Sequence, residues 1–443
     1  MRQLHAEQAR FSMNLSVGRA DLRFVPAIVF LFILPFTHTV ALRLICLFAA
    51  ALVALYCGWR LPRPPLPCKL PLLLWAGICA LSLAWSIHPG YSAGELKNEV
   101  GYVMIAFLAF FYTTGTEAAW RWWRTTITVS CIIVSILALT FVTRSDDWPM
   151  NARFFPDRNM FSTYVVLVTP LFLVTLAQNG IKPLIGTLAA VAVPLTLACG
   201  YLTLNRAMWP ALVVEIILFF WLVSRKTPSG GRSRLTGALA LAVVCAIFAA
   251  AFLAADYMKV GPGVTGPNAF EKSVKQSLRP RIWSYAAERI AQRPITGYGF
   301  GRGILHRDFQ AHSGTPVIRH AHNMVLNYAL EAGLPGALLL LLLFATLIRA
   351  FWVLYAAAPR EVWSIGAFGL TLLAGAAVKS MTDDIIIREN SLLFWSLIGM
   401  SLGYAGHKLA GIGGSPHSPS ATTADHSAPP VPGCGDGGGP QYR

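Results

Sequence analysis

Two histidines stand in a polar segment that leads directly into an apolar one. Arg319-His320-Ala321-His322-Asn323 precedes a run that begins Met324-Val325-Leu326. Histidine is a competent general base near neutral pH, and an adjacent arginine at a helix start would help such a base to meet an anionic substrate. A lone histidine here would more often be interfacial packing. The His-x-His spacing also suits a metal, but the sequence positions no third ligand, so we predict no metal site.

A second candidate group is an arginine held in a very short connection. Arg206 lies in Asn205-Arg206-Ala207, between two apolar stretches that leave almost no loop. The planar donors of a guanidinium match a pair of phosphate oxygens, and an arginine fixed between two helix ends cannot move far. The alternative is an arginine whose side chain reaches up to lipid headgroups. Arg158 and Asn159 form a similar polar segment further upstream.

The third group is a pair of arginines, Arg279 and Arg281, before Trp283. Apolar residues recur at helical spacing from Ile282 to Ile290, which predicts a short amphipathic helix at the membrane surface that ends near Pro294. The arginines would stand at its start. The glycine-rich run that follows lacks the features of a phosphate-binding loop, and we interpret it as a turn.

The elements that must position these residues are membrane helices. The chain is 55% hydrophobic and 13% charged, whereas soluble proteins average about 25% charged residues. A helix needs roughly 20 apolar residues to cross a bilayer. On that measure the sequence predicts about twelve spans, near 22–37, 39–58, 70–87, 96–114, 123–142, 160–178, 184–204, 207–224, 235–257, 335–356, 361–379 and 390–408. The cysteines show neither metal-ligand spacing nor a disulfide framework.

The charges predict the orientation of these spans. With the N-terminus inside, Lys and Arg concentrate in the even-numbered connections, as the positive-inside rule requires. The predicted organisation is a cytoplasmic segment 1–21, nine spans within 22–258, a periplasmic loop 259–322, three spans within 323–409 and a disordered cytoplasmic tail 410–443. The loop nevertheless has ten Lys or Arg against three acidic residues. An anionic ligand at the outer surface would explain that excess; contact with lipid phosphates is the alternative.

These segments, in this order, resemble the O-antigen ligase and polymerase superfamily of bacterial inner membranes. The resemblance is strongest at His320-Ala321-His322-Asn323 with Glu331-Ala332-Gly333-Leu334-Pro335-Gly336 after it. Arg206 is similar to the arginine of the family's Ser-Arg turn, although this chain has Asn205 where the family has serine. Arg279 is similar to the arginine that opens the loop helix. A GT-C-like, all-α polytopic fold is implied.

The resemblance implies an enzyme that transfers O-antigen from undecaprenyl diphosphate to a hydroxyl of the lipid A core oligosaccharide in the periplasm, as part of lipopolysaccharide biosynthesis. His322 would be the general base of an inverting, metal-independent transfer. Arg206 and Arg279 would act on the diphosphate, helped by Arg281 and Arg158. The supporting residues would be His320, Asn159, Asn323 and Arg319. We expect no cofactor and no nucleic-acid partner, membrane lipids as the surroundings, and a monomer.

Several alternatives remain at this stage. His320 could replace His322 as the base, and Arg281 could replace Arg279. Polymerases of the same superfamily use a second lipid-linked glycan as the acceptor, and their Arg-x10-Gly spacing occurs here only from Arg388 to Gly399, mostly inside the last span. From another class, a solute transporter would bury ionisable groups within its spans. The candidates for such groups are Glu215 in the eighth span and Lys97 with Glu95 and Glu99 near the fourth.

Overall fold

A computed structural model describes residues 22–60, 64–145, 156–227, 246, 248–250, 278–316, 318–382, 384–385 and 387–413. Within these ranges the chain is helical and contains no strand, which confirms the predicted all-α class. Several predictions lie outside the described residues: the segment 1–21, most of the ninth span, the first part of the loop (259–277) and the tail beyond residue 413.

The helices are, in chain order, α1 (Val25–Ile33), α2 (Val40–Arg60), α3 (Lys69–Leu81), α4 (Pro89–Leu96), α5 (Tyr102–Thr113), α6 (Glu117–Ser145), α7 (Arg158–Asn179), α8 (Leu184–Leu202), α9 (Met208–Lys226), α10 (Arg279–Gln292), α11 (His306–Ser313), α12 (Met324–Ala356), α13 (Arg360–Ser380) and α14 (Arg388–Gly413). Two 3₁₀ turns, Leu22–Phe24 and Ser82–Trp85, precede α1 and follow α3, and a π turn, Lys97–Gly101, joins α4 to α5.

Helices occupy every predicted span position that the structure describes. Seven of them, α2, α6, α7, α8, α9, α12 and α13, are long and apolar enough to cross a membrane, and two shorter apolar stretches, Leu22–Ile33 and Lys69–Trp85, accompany them. The count of twelve therefore stays a prediction. A separate short helix, α4, precedes the helix that occupies the fourth predicted span, and α14 extends to Gly413, a few residues beyond the predicted end of the last span.

Helices α7 and α13 form the centre of the bundle. In each, 78% of the residues in the most apolar stretch are buried, and α13 packs against α7, α9 and α12. A membrane helix at the edge of a bundle leaves one face outside the protein, as α2 does with 33% of its most apolar stretch buried. The first residues of α7 and the last residues of α13 meet at the same end of the bundle, because Lys379 Nζ lies 3.4 Å from Asn159 Oδ1.

Helix α12 is broken near its start, and the glycine-rich run fills the break. Ala332 and Gly333 leave helical geometry, and Gly333 has φ +72°. The freed carbonyls of residues 330 and 331 accept hydrogen bonds from the N–H groups of residues 298 and 299, at 2.7 and 2.9 Å. The N–H of residue 334 in turn donates to the carbonyl of residue 294 at 2.7 Å. The run therefore does more than turn the chain: it fixes the loop on α12, and the predicted tenth span begins just after the break.

Candidate active site

The predicted histidines lie on a tight turn immediately before α12. His322 has φ +50°, a left-handed conformation that is uncommon outside glycine. Its backbone N–H donates to Nδ1 of His320 at 3.1 Å, and the centres of the two rings are 4.1 Å apart. Because Nδ1 of His320 accepts this bond, that ring carries its proton on Nε2. The two histidines are therefore not equivalent.

Two buried asparagines hold the histidine turn in place. Asn323 caps α12 by accepting from the N–H of Leu326 at 3.1 Å, and its Nδ2 donates to the carbonyl of Met381 at 3.2 Å. Asn327 accepts from the N–H of Ala321 at 3.0 Å and donates to Asp384 Oδ2 at 3.0 Å. The turn is thus connected to the segment after α13 on both sides.

Helix α10 presents the predicted arginines beside the same turn. The Nε1 of Trp283 donates to the carbonyl of Ala321 at 3.0 Å. The helix extends from Arg279 to Gln292, which confirms the amphipathic loop helix, and its buried face carries Ile282 and Ala286. Arg279 and Arg281, in its first turn, are exposed, as is Arg319 before the histidines. One hydrogen bond therefore ties the arginine-bearing helix to the histidine turn.

The arginine turn between α8 and α9 is built around Asn205. Its Nδ2 donates to Asn159 Oδ1 at 2.7 Å, and its Oδ1 accepts from the N–H of Ala207 at 3.1 Å. Leu204, just before it, has φ +53°. Arg206 is half-buried at the tip of this turn. The asparagine does two things that a serine, with its shorter side chain, could not do together: it closes the turn and it reaches the start of α7.

Arg158 and Asn159 open helix α7. Asp157 caps this helix by accepting from the N–H groups of Asn159 and Met160, at 2.9 and 2.8 Å. Both Arg158 and Asn159 are half-buried. The cap explains why a polar segment starts an apolar helix, since the Asp157 carboxylate satisfies N–H groups that would otherwise be exposed in an apolar setting.

Sequence reasoning missed three residues of this region: Lys379, Asn327 and Asp384. Lys379 is completely buried, and its Nζ approaches the same Asn159 oxygen that Asn205 contacts. Asn327 is 1% exposed and Asp384 5%. Two features of the sequence could have indicated these residues. Lys379 is a single lysine at the end of an apolar span, and Asn327 lies four residues after Asn323, which places the two asparagines on the same face of one helix.

The predicted segments are therefore joined by short polar contacts. Asn159 connects the Arg206 turn to Lys379 at the end of α13, and Asn323 connects the histidine turn to Met381, two residues further along. Trp283 connects the loop helix to the same histidine turn. Residues from five separate parts of the sequence, the last turn of α13 among them, thus meet at one end of the bundle.

A small acidic void adjoins the start of α12. It measures about 20 Å³ and is lined by Glu95, Glu99, Phe300, Gly301, Arg302, Tyr328, Glu331 and Asp384. That is room for about one water molecule. Glu331 Oε2 accepts from the N–H of Gly301 at 3.2 Å, and Glu99 accepts from the N–H of Arg388 at 3.0 Å. Within the described ranges, no three His, Cys, Asp or Glu side chains are grouped so as to hold a metal ion.

Residues 190–341 match a family model described as O-antigen ligase. The match spans Arg206, Arg279, Arg281 and both histidines. The matched segment covers about a third of the chain. The match confirms the resemblance to the O-antigen ligase and polymerase superfamily, whose members are glycosyltransferase-like enzymes of the bacterial inner membrane in lipopolysaccharide synthesis. No curated protein matches the chain.

Proposed function

We propose that this protein is an O-antigen ligase. It transfers O-antigen from undecaprenyl diphosphate to a hydroxyl of the lipid A core oligosaccharide, at the periplasmic face of the inner membrane. The observation that supports this most strongly is that short hydrogen bonds join the Arg206 turn, the Arg279 helix and the histidine turn, all three of which lie in the segment that matches the O-antigen ligase model. A base and several fixed cations near one membrane end suit a donor that leaves as a diphosphate.

The proposed reaction is a single displacement with inversion. His322 accepts the proton of the acceptor hydroxyl while the hydroxyl oxygen attacks the anomeric carbon of the donor sugar. The bond from that carbon to the diphosphate oxygen breaks, and the diphosphate leaves with the electron pair. Arg206 and Arg279, with Arg281 and Arg158 nearby, stabilise the developing negative charge. Because the guanidinium groups supply the compensating positive charge themselves, we expect transfer to continue in the presence of a metal chelator.

Hydrogen bonding favours His322 over His320 as the base. Nδ1 of His320 accepts from the backbone N–H of His322 and is therefore used to shape the turn. The Asn327–Asp384 pair fixes the same turn through Ala321. A base held in one orientation contributes more to proton transfer than a mobile one.

The test uses the purified full-length protein with undecaprenyl-diphosphate-linked O-antigen. In separate reactions it is offered lipid A core or a second lipid-linked glycan. We expect glycan attachment to lipid A core. Extension of the second lipid-linked glycan would instead indicate a polymerase, and no product with either acceptor would contradict a transferase.

Histidine variants test the assignment of the base. We expect His322→Ala to lower the transfer rate by about 100-fold or more, with normal amounts of protein in the membrane. His320→Ala should lose less, because its ring shapes the turn without taking the proton. Equal losses in both variants would contradict the assignment, as would full activity of His322→Ala.

A further inference from the structure

A second, larger cavity lies apart from the histidine turn, between the start of α4 and the start of α11. It measures about 490 Å³, within the usual size range of small-ligand pockets. Its lining includes His88 and Tyr91 from one side and Gly303, His306 and Arg307 from the other. None of its lining residues is acidic. The reaction scheme above gives these residues no role.

Tyr91, in the wall of this cavity, packs directly against Gly301 and Gly303. Its hydroxyl accepts a hydrogen bond from the N–H of Gly303 at 3.0 Å. A Cβ on Gly301 would lie 2.8 Å from the Tyr91 ring, and one on Gly303 would lie 2.7 Å from its hydroxyl. The Gly-Arg-Gly sequence at 301–303 therefore lets the ring pack directly on the backbone. Partial desolvation and the neighbouring Glu95 raise the pKa of Tyr91 to about 12, so the phenol keeps a proton that it can donate.

The charge of the lining favours an anion. Arg307 is exposed and permanently charged. The first turns of α4 and α11 both line the cavity, and neither helix has a side-chain cap, so the positive ends of two helix dipoles add to that charge. The nearest acidic residue of α11, Asp308, pairs with Arg289 at 2.8 Å. Glu95 lines the neighbouring acidic void and not this cavity.

The other lining groups suit a sugar. His306 Nδ1 bonds the carbonyl of Gly303 at 3.0 Å, so this nitrogen carries the proton, and Nε2 of the neutral ring can accept from a hydroxyl. The partly exposed Tyr91 ring offers an apolar face beside these polar groups. A ligand that carries hydroxyls and one negative group would use every one of these features.

The position of the cavity calls for an extended ligand. The loop segment that leads to it pairs with Leu330 of α12, eight residues after His322. None of the residues that line the cavity belongs to the histidine turn or to the Arg206 turn. A group bound in the cavity is therefore distinct from the reacting diphosphate, and the ligand that we infer is a substrate with several linked sugars.

We propose that this cavity binds a phosphate- or carboxylate-bearing sugar of the glycan substrate, through Arg307, His88, His306 and Tyr91. This inference rests on the proposed function. It accounts for part of the basic excess of the loop that the diphosphate site leaves unexplained. The anionic sugar can belong to the acceptor or to the donor, and the two sources are separated by kinetics.

The first experiment measures binding without any transfer. The purified full-length protein in detergent is titrated calorimetrically with glucose 6-phosphate, with glucose and with inorganic phosphate. We expect glucose 6-phosphate to bind most tightly and Arg307→Gln to weaken it about tenfold, as for a lost charge-assisted hydrogen bond. Tyr91→Phe should weaken it by a smaller factor. Binding should persist in Arg206→Ala, since that arginine belongs to the other site.

The matched control is Arg293→Gln, an exposed arginine on the same loop that stacks on Tyr298 outside the cavity. Its affinity for glucose 6-phosphate should stay at the wild-type value. Equal affinity in Arg307→Gln and wild type would overturn the proposal, as would equal affinity for glucose and glucose 6-phosphate. Because no transfer is measured, these results do not depend on the ligase assignment.

The second experiment assigns the source of the sugar. If the acceptor carries it, Arg307→Gln should raise KM for phosphorylated lipid A core about tenfold, leave kcat unchanged, and have no effect with dephosphorylated core. If the donor carries it, the donor KM should rise instead. Unchanged KM for both substrates would overturn the proposal, whereas absence of transfer in the wild type would contradict only the ligase function.

Discussion

Single residues in the candidate site adopt backbone conformations that cost energy. Leu204 and His322 have positive φ although neither is glycine, and each precedes or carries a proposed functional side chain. Such conformations cost on the order of 1–3 kcal/mol each and persist only where neighbours enforce them. Here the neighbours are asparagines: Asn205 closes the first turn, and Asn327 holds the second. The amide side chains therefore orient the arginine and the histidine.

Arg206 provides the sharpest test at the residue scale. Arg206→Ala should lower kcat/KM for the lipid-diphosphate donor by about 100-fold, the loss expected for a charged hydrogen-bonding group. Arg206→Lys should recover only part of it, because an ammonium lacks the paired donors of a guanidinium. The measurement is donor kinetics at saturating lipid A core.

Arg349→Lys serves as the control, since this arginine is exposed at the opposite end of α12. It should leave the donor kinetics unchanged. Full recovery of activity in Arg206→Lys would indicate that only charge matters and would contradict bidentate binding of the diphosphate.

Residue types alone were enough to predict Arg206, Arg279 and His322 as candidates, because each has a distinctive chemistry in a short polar segment. Residue types could not predict a role for Lys379, because a lysine at the end of an apolar span is ordinarily a residue at the membrane boundary. Its significance depends on Asn159, 220 positions earlier, whose oxygen it approaches in the folded chain. A contact between such distant residues leaves no pattern in a single sequence.

At the scale of elements, the break in α12 joins the loop to the bundle. The break exposes backbone carbonyls that a continuous helix would use internally, and the segment 294–299 satisfies them. The sequence predicted a span starting at residue 335 and a turn at the glycine run, but not the pairing between them. Hydropathy indicates where an apolar stretch begins. The pairing of residues 294–299 with α12 depends instead on which backbone carbonyls lose their helical partners at the break.

Gly333→Ala tests the importance of this pairing. A methyl group there would meet the backbone carbonyl of Ile295, and φ +72° disfavours any side chain. We expect a loss of about 1–3 kcal/mol in the free energy of unfolding and a loss of transferase activity, because α10 would no longer be fixed beside the histidine turn. Unfolding in a denaturing detergent titration measures the first and donor transfer the second.

Gly77→Ala is the matched control. Gly77 lies in α3, and a Cβ added there would have no neighbour within 4 Å. This variant should be neutral or slightly more stable, since alanine favours a helix. A Gly333→Ala protein as stable and active as Gly77→Ala would show that the loop does not depend on the break.

Across the whole molecule, the polar contacts separate into two ends. Span ends and connections on the side predicted to be periplasmic contact one another, as in the bonds of Trp85 to Thr296 and of Glu99 to Arg388. Connections predicted to be cytoplasmic do the same at the other end, where Lys408 pairs with Glu117 and Glu361 at 3.1 and 2.7 Å. These contacts agree with the alternation of spans that charge and hydropathy predict, whereas the packing order of the helices could not be predicted from the sequence.

An ion pair links α2 to α14 on the side predicted to be periplasmic. Arg43 of α2 pairs with Glu389 of α14 at 2.6 Å, and its guanidinium also donates to the carbonyl of Phe36 and to Thr39 Oγ1, both at 3.0 Å. The Arg43 side chain is only 5% exposed. Removing one member of a buried pair leaves the other charged and without compensation, which commonly costs about 3–5 kcal/mol.

Arg43→Met should therefore destabilise the protein by about 3 kcal/mol in a denaturing detergent titration, with a loss of activity that follows the loss of folded protein. The double variant Arg43→Met with Glu389→Met should be more stable than Arg43→Met alone, because it removes the isolated carboxylate and refills the space with apolar atoms. A double variant less stable than Arg43→Met alone would show that the two residues contribute independently. If Arg43→Met were as stable as the wild type, α2 and α14 would be held together by apolar packing alone.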